Sequence, residues 1–206
     1  MSLQDVLEAR ERIGDRLRRT PSWQAVSLSR LCGRPVHLKA EHLQRTGSFK
    51  PRGALNLLSS LGPEVTEVVA ASAGNHAQGV ALAAGLTGRH ATVFMPVTAS
   101  LPKVQATRDY GAEVILAGET VDDAIALAKE RAEATGAVFA SPFDHPLVIA
   151  GQGTVGLEIA EDAPDAEAVV VPVGGGGLIA RLAGALAGRA PAARVVARQA
   201  ERRAAP

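Results

Sequence analysis

The stretch EVVAASAGNHAQGVALAAGL, Glu67 to Leu86, contains an apolar run, a polar turn and a helical segment in direct succession. The run Val68–Ala71 predicts a buried strand, and Ala77–Ala84 predicts the helix that follows it. Because the same strand-then-helix alternation recurs further along the chain, it indicates a parallel sheet with right-handed crossovers. The stretch therefore predicts an α/β fold.

The alternation extends on both sides of this first unit. Further strands are predicted at Ala91–Met95, Glu113–Leu116 and Ala137–Ala140, separated by helices at Leu101–Tyr110 and Val121–Thr135. Before this region the pattern predicts a helix over 3–19, a strand from Val36 to Leu43 and a helix from Arg52 to Ser60. After it, the pattern predicts a helix over 147–162, a strand over 168–173, a glycine loop that opens onto a helix, and a last strand over 193–199.

The composition limits the classes of function. The 206 residues carry a formal net charge of +1, so no polyanionic partner is implied. Cys32 is the single cysteine, which fits a reducing compartment without disulfides. The charged N-terminal segment is unlike a signal peptide, and no apolar run reaches the roughly 20 residues that a membrane helix needs. We therefore expect a cytoplasmic protein that binds neither nucleic acid nor membrane.

Lys50 lies in the stretch RTGSFKPRGALNLL, Arg45 to Leu58, directly before Pro51. An isolated lysine is usually a solvated surface residue, but a cation at the start of a helix is disfavoured by the helix dipole. Gly47 allows a close approach of the backbone, and Pro51 suits a first helical turn. Partial burial would lower the pKa of Lys50 below about 10.4 and make its amine a nucleophile. The stretch predicts that Lys50 is used for its amine rather than its charge.

The turn SAGNHAQG, Ser72 to Gly79, follows a predicted strand and opens a helix. Free N–H groups at such a helix start can bind a carboxylate or a phosphate. Ser72, Gly74 and Asn75 are equally ordinary turn and capping residues, so the pattern alone leaves both interpretations open. His76 by itself is more typical of a structural residue.

The segment PVGGGG, Pro172 to Gly177, also joins a strand to a helix. Consecutive glycines there can form a nest of N–H donors around a phosphate. A flexible linker is the alternative, and it is disfavoured inside a strand–helix unit. No acidic residue follows at the distance that a nicotinamide dinucleotide site requires, which disfavours a dehydrogenase.

Other polar residues favour structural roles. Cys32 is predicted to be a small buried residue. Glu41 and His42 would lie on opposite faces of one strand and could not act as a pair. Asp144 and His145 would lie in a connecting turn and cap a helix. No spacing of cysteine and histidine predicts a metal site.

An amine nucleophile, a carboxylate cradle and a phosphate cradle form the set that a pyridoxal-phosphate enzyme acting on an amino acid needs. The stretches LKAEHLQRTGSFKPRGALN, ASAGNHAQGVALAA, PFDHPLVIAGQGTVGLEI and VPVGGGGLIA resemble the threonine dehydratase and serine racemase group. These are pyridoxal-phosphate enzymes of the tryptophan synthase β-subunit fold, fold type II. The resemblance runs from the N-terminal helix to about residue 198, with the motifs in the family's order.

The resemblance implies an α/β architecture of two three-layer open parallel sheets. A large cofactor-binding domain would comprise residues 1–66 and 144–206, and a small α/β domain, residues 67–143, would be inserted in it. Members of the group continue well beyond this point in their sequences. We therefore expect the large domain to be incomplete at its C-terminal end, where its last strand would leave a free sheet edge.

The resemblance also implies roles for individual residues. Lys50 would bind pyridoxal 5'-phosphate covalently and, once released by the substrate amine, remove the Cα proton. Phe49 would lie close to the cofactor ring, and Asn75 would hydrogen-bond the ring hydroxyl. The phosphate would be bound by Gly174, Gly175, Gly176 and Gly177. The loop that receives the substrate carboxylate would be lined by Ser72, Ala73, Gly74 and His76.

The implied reaction removes the β-hydroxyl and the amine of serine or threonine, giving a 2-keto acid and ammonia. Racemases of the group carry a second serine after the position of Ser72, and Ala73 stands there in this chain, which favours elimination. We expect an amino acid substrate, no metal and possible homodimers. The alternative is a truncated, catalytically impaired fragment that only binds the cofactor or a partner chain.

Overall fold

The computed structural model describes residues 2–142, 144–174 and 176–199. Its strands are β1 (Ser22–Gln24), β2 (His37–Lys39), β3 (Glu67–Ala71), β4 (His90–Met95), β5 (Glu113–Leu116), β6 (Val138–Phe139), β7 (Ala168–Pro172) and β8 (Arg194–Arg198). Its helices are α1 (Leu3–Ile13), α2 (Val26–Cys32), α3 (Lys50–Ser59), α4 (Asn75–Leu86), α5 (Leu101–Asp109), α6 (Val121–Thr135), α7 (Pro146–Asp162) and α8 (Gly177–Arg189).

The four central strands form one parallel sheet in the order β5-β4-β3-β6. Successive residues of β3 point to opposite faces: Val68 and Ala70 pack into the cluster that contains α4, whereas Val69 and Ala71 pack against α6. The sheet is therefore covered by helices on both sides, which explains why β3 is apolar at consecutive positions. The predicted alternation of strands and helices is confirmed.

Two smaller sheets flank this unit. Strands β1 and β2 pair antiparallel, and β7 and β8 pair parallel. The inner face of β7 packs through Val171 against α7 and α8, while Val170 on its outer face is 66% exposed. The predicted α/β class with parallel sheets is confirmed; the division into domains 1–66 with 144–206 and 67–143 stays a prediction.

Three helices meet at the turn that carries Lys50, and glycines allow their close approach. A β-carbon on Gly151 of α7 would lie 2.4 Å from the Arg52 carbonyl oxygen of α3. A β-carbon on Gly79 of α4 would lie 3.1 Å from the carbonyl carbon of Lys50. Since real β-carbons are almost never nearer than 3.0 Å, alanine at position 151 would force α3 and α7 apart. The first turn of α3 is thus in close contact with α4 on one side and α7 on another.

A buried ion network joins α3 to α7. The Arg52 side chain, only 2% exposed as a residue, donates to both oxygens of Glu41 and both oxygens of Glu158. Lys39 adds a second cation within 2.7 Å of Glu158. Burial by itself lowers the pKa of the Arg52 guanidinium, but the hydrogen bonds to the two carboxylates outweigh it and raise the pKa above the ordinary value.

Two N-terminal predictions are wrong in detail. The strand expected from Val36 to Leu43 is confined to β2, and Glu41–Leu43 form a 3-10 turn. The Glu41 side chain is consequently free to pair with Arg52, so the opposite-face argument for Glu41 and His42 does not apply. The helix expected over 3–19 ends at Ile13, where Gly14 adopts a φ of 53° that glycine tolerates best.

The prediction for Cys32 is wrong, and the prediction for His145 is confirmed. Cys32 is exposed rather than buried, because α2 lies on the surface and even its Leu31 is 83% exposed. His145 is the N-cap of α7, as predicted, with Nδ1 accepting from the Leu147 amide at 3.2 Å. None of the helices within the described residues is long and apolar enough to span a bilayer.

Candidate active site

Lys50 is the first residue of α3 and is half-buried. Its Nζ donates to the Pro142 carbonyl at 3.1 Å and lies 5.4 Å from the centroid of the Phe49 ring. Among the described residues no carboxylate pairs with it. Burial lowers the pKa of Lys50, so a larger share of its amine is neutral than in an exposed lysine. The structure therefore shows a partly buried amine with a lowered pKa at Lys50, and its use as a nucleophile stays a prediction.

The turn Ser72–His76 leaves the carboxyl end of β3 and leads directly into α4. The Ser72 hydroxyl accepts from the Gly74 amide at 3.1 Å, which shapes the turn. Asn75, the first residue of α4, is exposed. The Ala77 amide donates to the Gly74 carbonyl at 3.1 Å, whereas the amides of Asn75 and His76 precede the first intrahelical bonds and favour an anion. The turn thus has the position and the donors expected of a carboxylate site.

His76 turns its side chain into the protein rather than towards solvent. It is 2% exposed, and its Nε2 lies 2.9 Å from the Ala140 carbonyl. Because a carbonyl only accepts, Nε2 carries the proton, and the buried Nδ1 is left without a partner among the described residues. Burial, together with the nearby charge of Lys50, lowers the pKa of His76 to about 4.

The neutral state of His76 predicts a loss of stability in acid. The pKa is about 4 in the folded chain and about 6.5 when unfolded, so the unfolded state binds more protons between these values. Protonation of His76 therefore does not reduce the free energy of unfolding above about pH 6.5. As the pH is lowered from there through 4, the free energy of unfolding falls by on the order of 3 kcal/mol. Urea unfolding across this range measures it.

The variant His76→Gln is the control for this pH dependence, since glutamine keeps a donor but does not titrate. We expect its free energy of unfolding to change less between pH 7 and 4 than that of the wild type. Equal pH slopes in the two proteins would assign the acid sensitivity to other groups.

The glycine segment lies between β7 and α8 as predicted. Gly176 has a φ of 78°, and β-carbons on Gly174 or Gly176 would meet nothing within 4 Å. Gly177 begins the 13-residue helix α8, whereas Gly175 lies outside the described residues. The segment is open and adjoins a helix N-terminus, which is the arrangement that binds phosphate.

Phe49 adjoins Lys50, and its ring packs against the apolar cluster formed by α7, β7 and α8, which includes Val171 and Leu182. The glycine segment joins β7 to α8, two of the elements in that cluster. On another side, the backbone of Lys50 is in close contact with Gly79 of α4, and the charge of Lys50 acts on His76. The amine and the turn after β3 therefore lie near each other, and an amine, free helix amides and an open glycine segment are chemically suited to a phosphate-bearing aldehyde cofactor. That the glycine segment joins them in one site stays a prediction.

The sequence did not single out the carbonyls of Ala140 and Pro142, which bind the side chains of His76 and Lys50. Ala140 ends the predicted strand Ala137–Ala140 and Pro142 lies in the connection after it, and a backbone oxygen has no sequence signal. Lys103, whose Nζ lies 3.6 Å from the position of a β-carbon on Gly74, was not predicted as a site residue either. It lies in the first turn of α5, and its signal was the one that marked Lys50, a cation at a helix start.

Comparisons with known proteins identify relatives of this chain. A family model described as Pyridoxal-phosphate dependent enzyme matches residues 13–206. The chain is 50% identical over 193 residues to an L-threonine ammonia-lyase of Geobacter sulfurreducens and 47% identical over 203 residues to a catabolic L-threonine dehydratase of Escherichia coli. The structure matches maize serine racemase with a TM-score of 0.92 and 36% identity over 95% of this chain.

The chain is shorter than each of these proteins. It spans 48% of the Geobacter relative, 62% of the Escherichia coli relative and 60% of the maize structure. The chain thus spans between about half and three fifths of the length of these curated relatives.

Proposed function

The chain belongs to the pyridoxal-phosphate dependent enzyme family, and on that premise we propose that it is a lyase of the threonine/serine dehydratase type. Its substrate would be L-threonine or L-serine, and its products a 2-keto acid and ammonia. The observation that carries the proposal is the half-buried Lys50 amine, whose pKa is lowered and which no described carboxylate neutralises.

The cofactor would be held by residues from three motifs. Lys50 would bind its aldehyde, Gly174 to Gly177 its phosphate and Asn75 its ring hydroxyl, with Phe49 beside the ring. Bound pyridoxal phosphate supplies an electron sink that stabilises negative charge at the substrate Cα. These assignments are supported by the packing of Phe49 towards α8 and by the exposed Asn75 at the start of α4.

The chain's own groups would perform the remaining work. The first turn of α4 binds the substrate carboxylate through its amides, with Ser72, Ala73, Gly74 and His76 forming the turn. Lys50 accepts the Cα proton at Nζ, and the Pro142 carbonyl orients that nitrogen. A well-placed general base contributes about 10²–10⁴ in rate. Ala73 offers no proton-accepting group for a second face, which supports elimination over racemisation.

The test is reconstitution with pyridoxal phosphate. We expect a visible absorbance band, attachment at Lys50 after borohydride reduction and peptide mapping, and 2-keto acid release from L-threonine or L-serine. Attachment without turnover would instead support the second candidate, a chain that only binds cofactor. Attachment elsewhere, or no band, would contradict the proposal.

We also propose a cytoplasmic location and a homodimer. The free thiol of exposed Cys32 suits a reducing compartment. Exposed apolar side chains on α2 and on the outer face of β7, such as Leu31 and Val170, provide surface for self-association. Light scattering across a concentration series measures the assembly, and a monomer at every concentration would exclude the homodimer.

A further inference from the structure

Lys103 lies beside the turn proposed to bind the substrate carboxylate. It belongs to the first turn of α5, and its Nζ is 3.6 Å from the position that a β-carbon on Gly74 would occupy. The side chain is exposed. Within the described part of the chain it has no carboxylate partner.

This position is electrostatically unfavourable for a lysine on its own. The N-terminus of α5, which carries Lys103, has a partial positive charge, and so does the N-terminus of α4 next to Gly74. Lys50 adds a second cation near the same turn, since its charge acts on His76. Positive charge therefore collects near Gly74, and among the described residues neither Lys103 nor Lys50 has an ion-pair partner, so an anion bound there would be stabilised.

We propose that Lys103 is a substrate-binding residue whose ammonium contacts the carboxylate held at Gly74 and makes the site selective for amino acids with a free α-carboxylate. The inference rests on the proposed function, since it places that carboxylate at the first turn of α4. The helix amides would fix the direction of the carboxylate, and Lys103 would supply the full charge that amides lack.

The test measures carboxylate binding without turnover. The purified chain is titrated with propionate, an unreactive carboxylate, before and after addition of pyridoxal phosphate, while the backbone amide signals of Gly74, Asn75 and His76 are followed by NMR. We expect saturable shifts at these amides and binding about tenfold weaker in Lys103→Gln, because one charge at about 4 Å is lost. Added salt should weaken wild-type binding more than binding to the variant.

Lys129→Gln is the matched control. Lys129 is an exposed lysine on α6, with its Nζ 5.9 Å from the Phe139 ring centroid, and its removal changes the net charge equally. We expect it to bind propionate as the wild type does. Equal weakening in both variants, unchanged binding in Lys103→Gln, or no propionate binding at these amides in the wild type would each overturn the proposal.

Kinetics separates this inference from the proposed function. If the chain releases keto acid, Lys103→Gln should raise KM for L-serine about tenfold with little change in kcat, the loss of one charge contact being mainly a loss of ground-state binding. The preference for L-serine over L-serine amide, which lacks the carboxylate, should fall by about the same tenfold in the variant. If the chain releases no keto acid, the propionate titration still decides the role of Lys103.

Discussion

Lys50→Ala should abolish the visible band of the reconstituted chain and reduce keto-acid release by at least about 10²–10⁴, the contribution of a positioned general base. The physical reason is that the same nitrogen, Nζ of Lys50, would bind the cofactor aldehyde and accept the Cα proton. Its pKa is lowered by burial and its direction is set by the Pro142 carbonyl at 3.1 Å. Absorbance after reconstitution and a keto-acid assay measure the two effects separately.

Two further variants sharpen this test. Lys129→Ala removes an exposed lysine of α6 and should retain both the band and the activity. Lys50→Arg keeps the charge but has no nucleophilic amine, because guanidinium is always protonated, so it should fail like Lys50→Ala. A band of wild-type intensity in either Lys50 variant would show that the cofactor is attached elsewhere.

Arg52→Met should destabilise the chain by about 3–5 kcal/mol, the usual cost of removing one partner from a buried ion pair. The change leaves Glu41 and Glu158, whose side chains are 14% and 10% exposed, facing each other without their main cation. Since a domain's whole stability is about 5–15 kcal/mol, the loss is a large fraction of it. Urea unfolding followed by circular dichroism measures the change.

The exposed pair of Arg10 and Glu161 provides the control for Arg52. Their side chains are 44% and 45% exposed, so Arg10→Gln should cost no more than about 1 kcal/mol. If Arg52→Met does not fold, Glu41→Gln gives a milder measurement, because Arg52 then keeps Glu158 at 2.6 Å. Arg52→Met within about 1 kcal/mol of the wild type would show that the network contributes little.

The order of strands and helices was predictable from residues 67–140. Apolar runs of four or five residues separated by helical stretches reproduce β3 to β6 and α4 to α6 to within two residues at each end. A parallel strand that is buried on both faces needs a continuous apolar run. Such a strand can therefore be located from its own residues. Here the N-terminal region differs, since β1 and β2 have three residues each and their ends depend on neighbours.

The sequence also predicted the position of the amine. Lys50 between Phe49 and Pro51 marks a helix start where a cation is disfavoured, and the structure places Lys50 as the first residue of α3. The turn after β3 and the segment before α8 were recognised for the same reason, since a strand that leads into a helix exposes free amides. These features depend only on residues that are neighbours in sequence, so they can be recognised without knowledge of the fold.

Tertiary structure alone decided which distant groups meet these motifs. Pro142 lies 92 residues from Lys50, and Ala140 lies 64 residues from His76, yet their carbonyls set the direction of both side chains. The pairing of Arg52 with Glu158 joins positions 106 residues apart. Backbone carbonyls are identical at every residue, and charged side chains have many partners available in sequence, so only the packing of α3 against α4 and α7 selects these contacts.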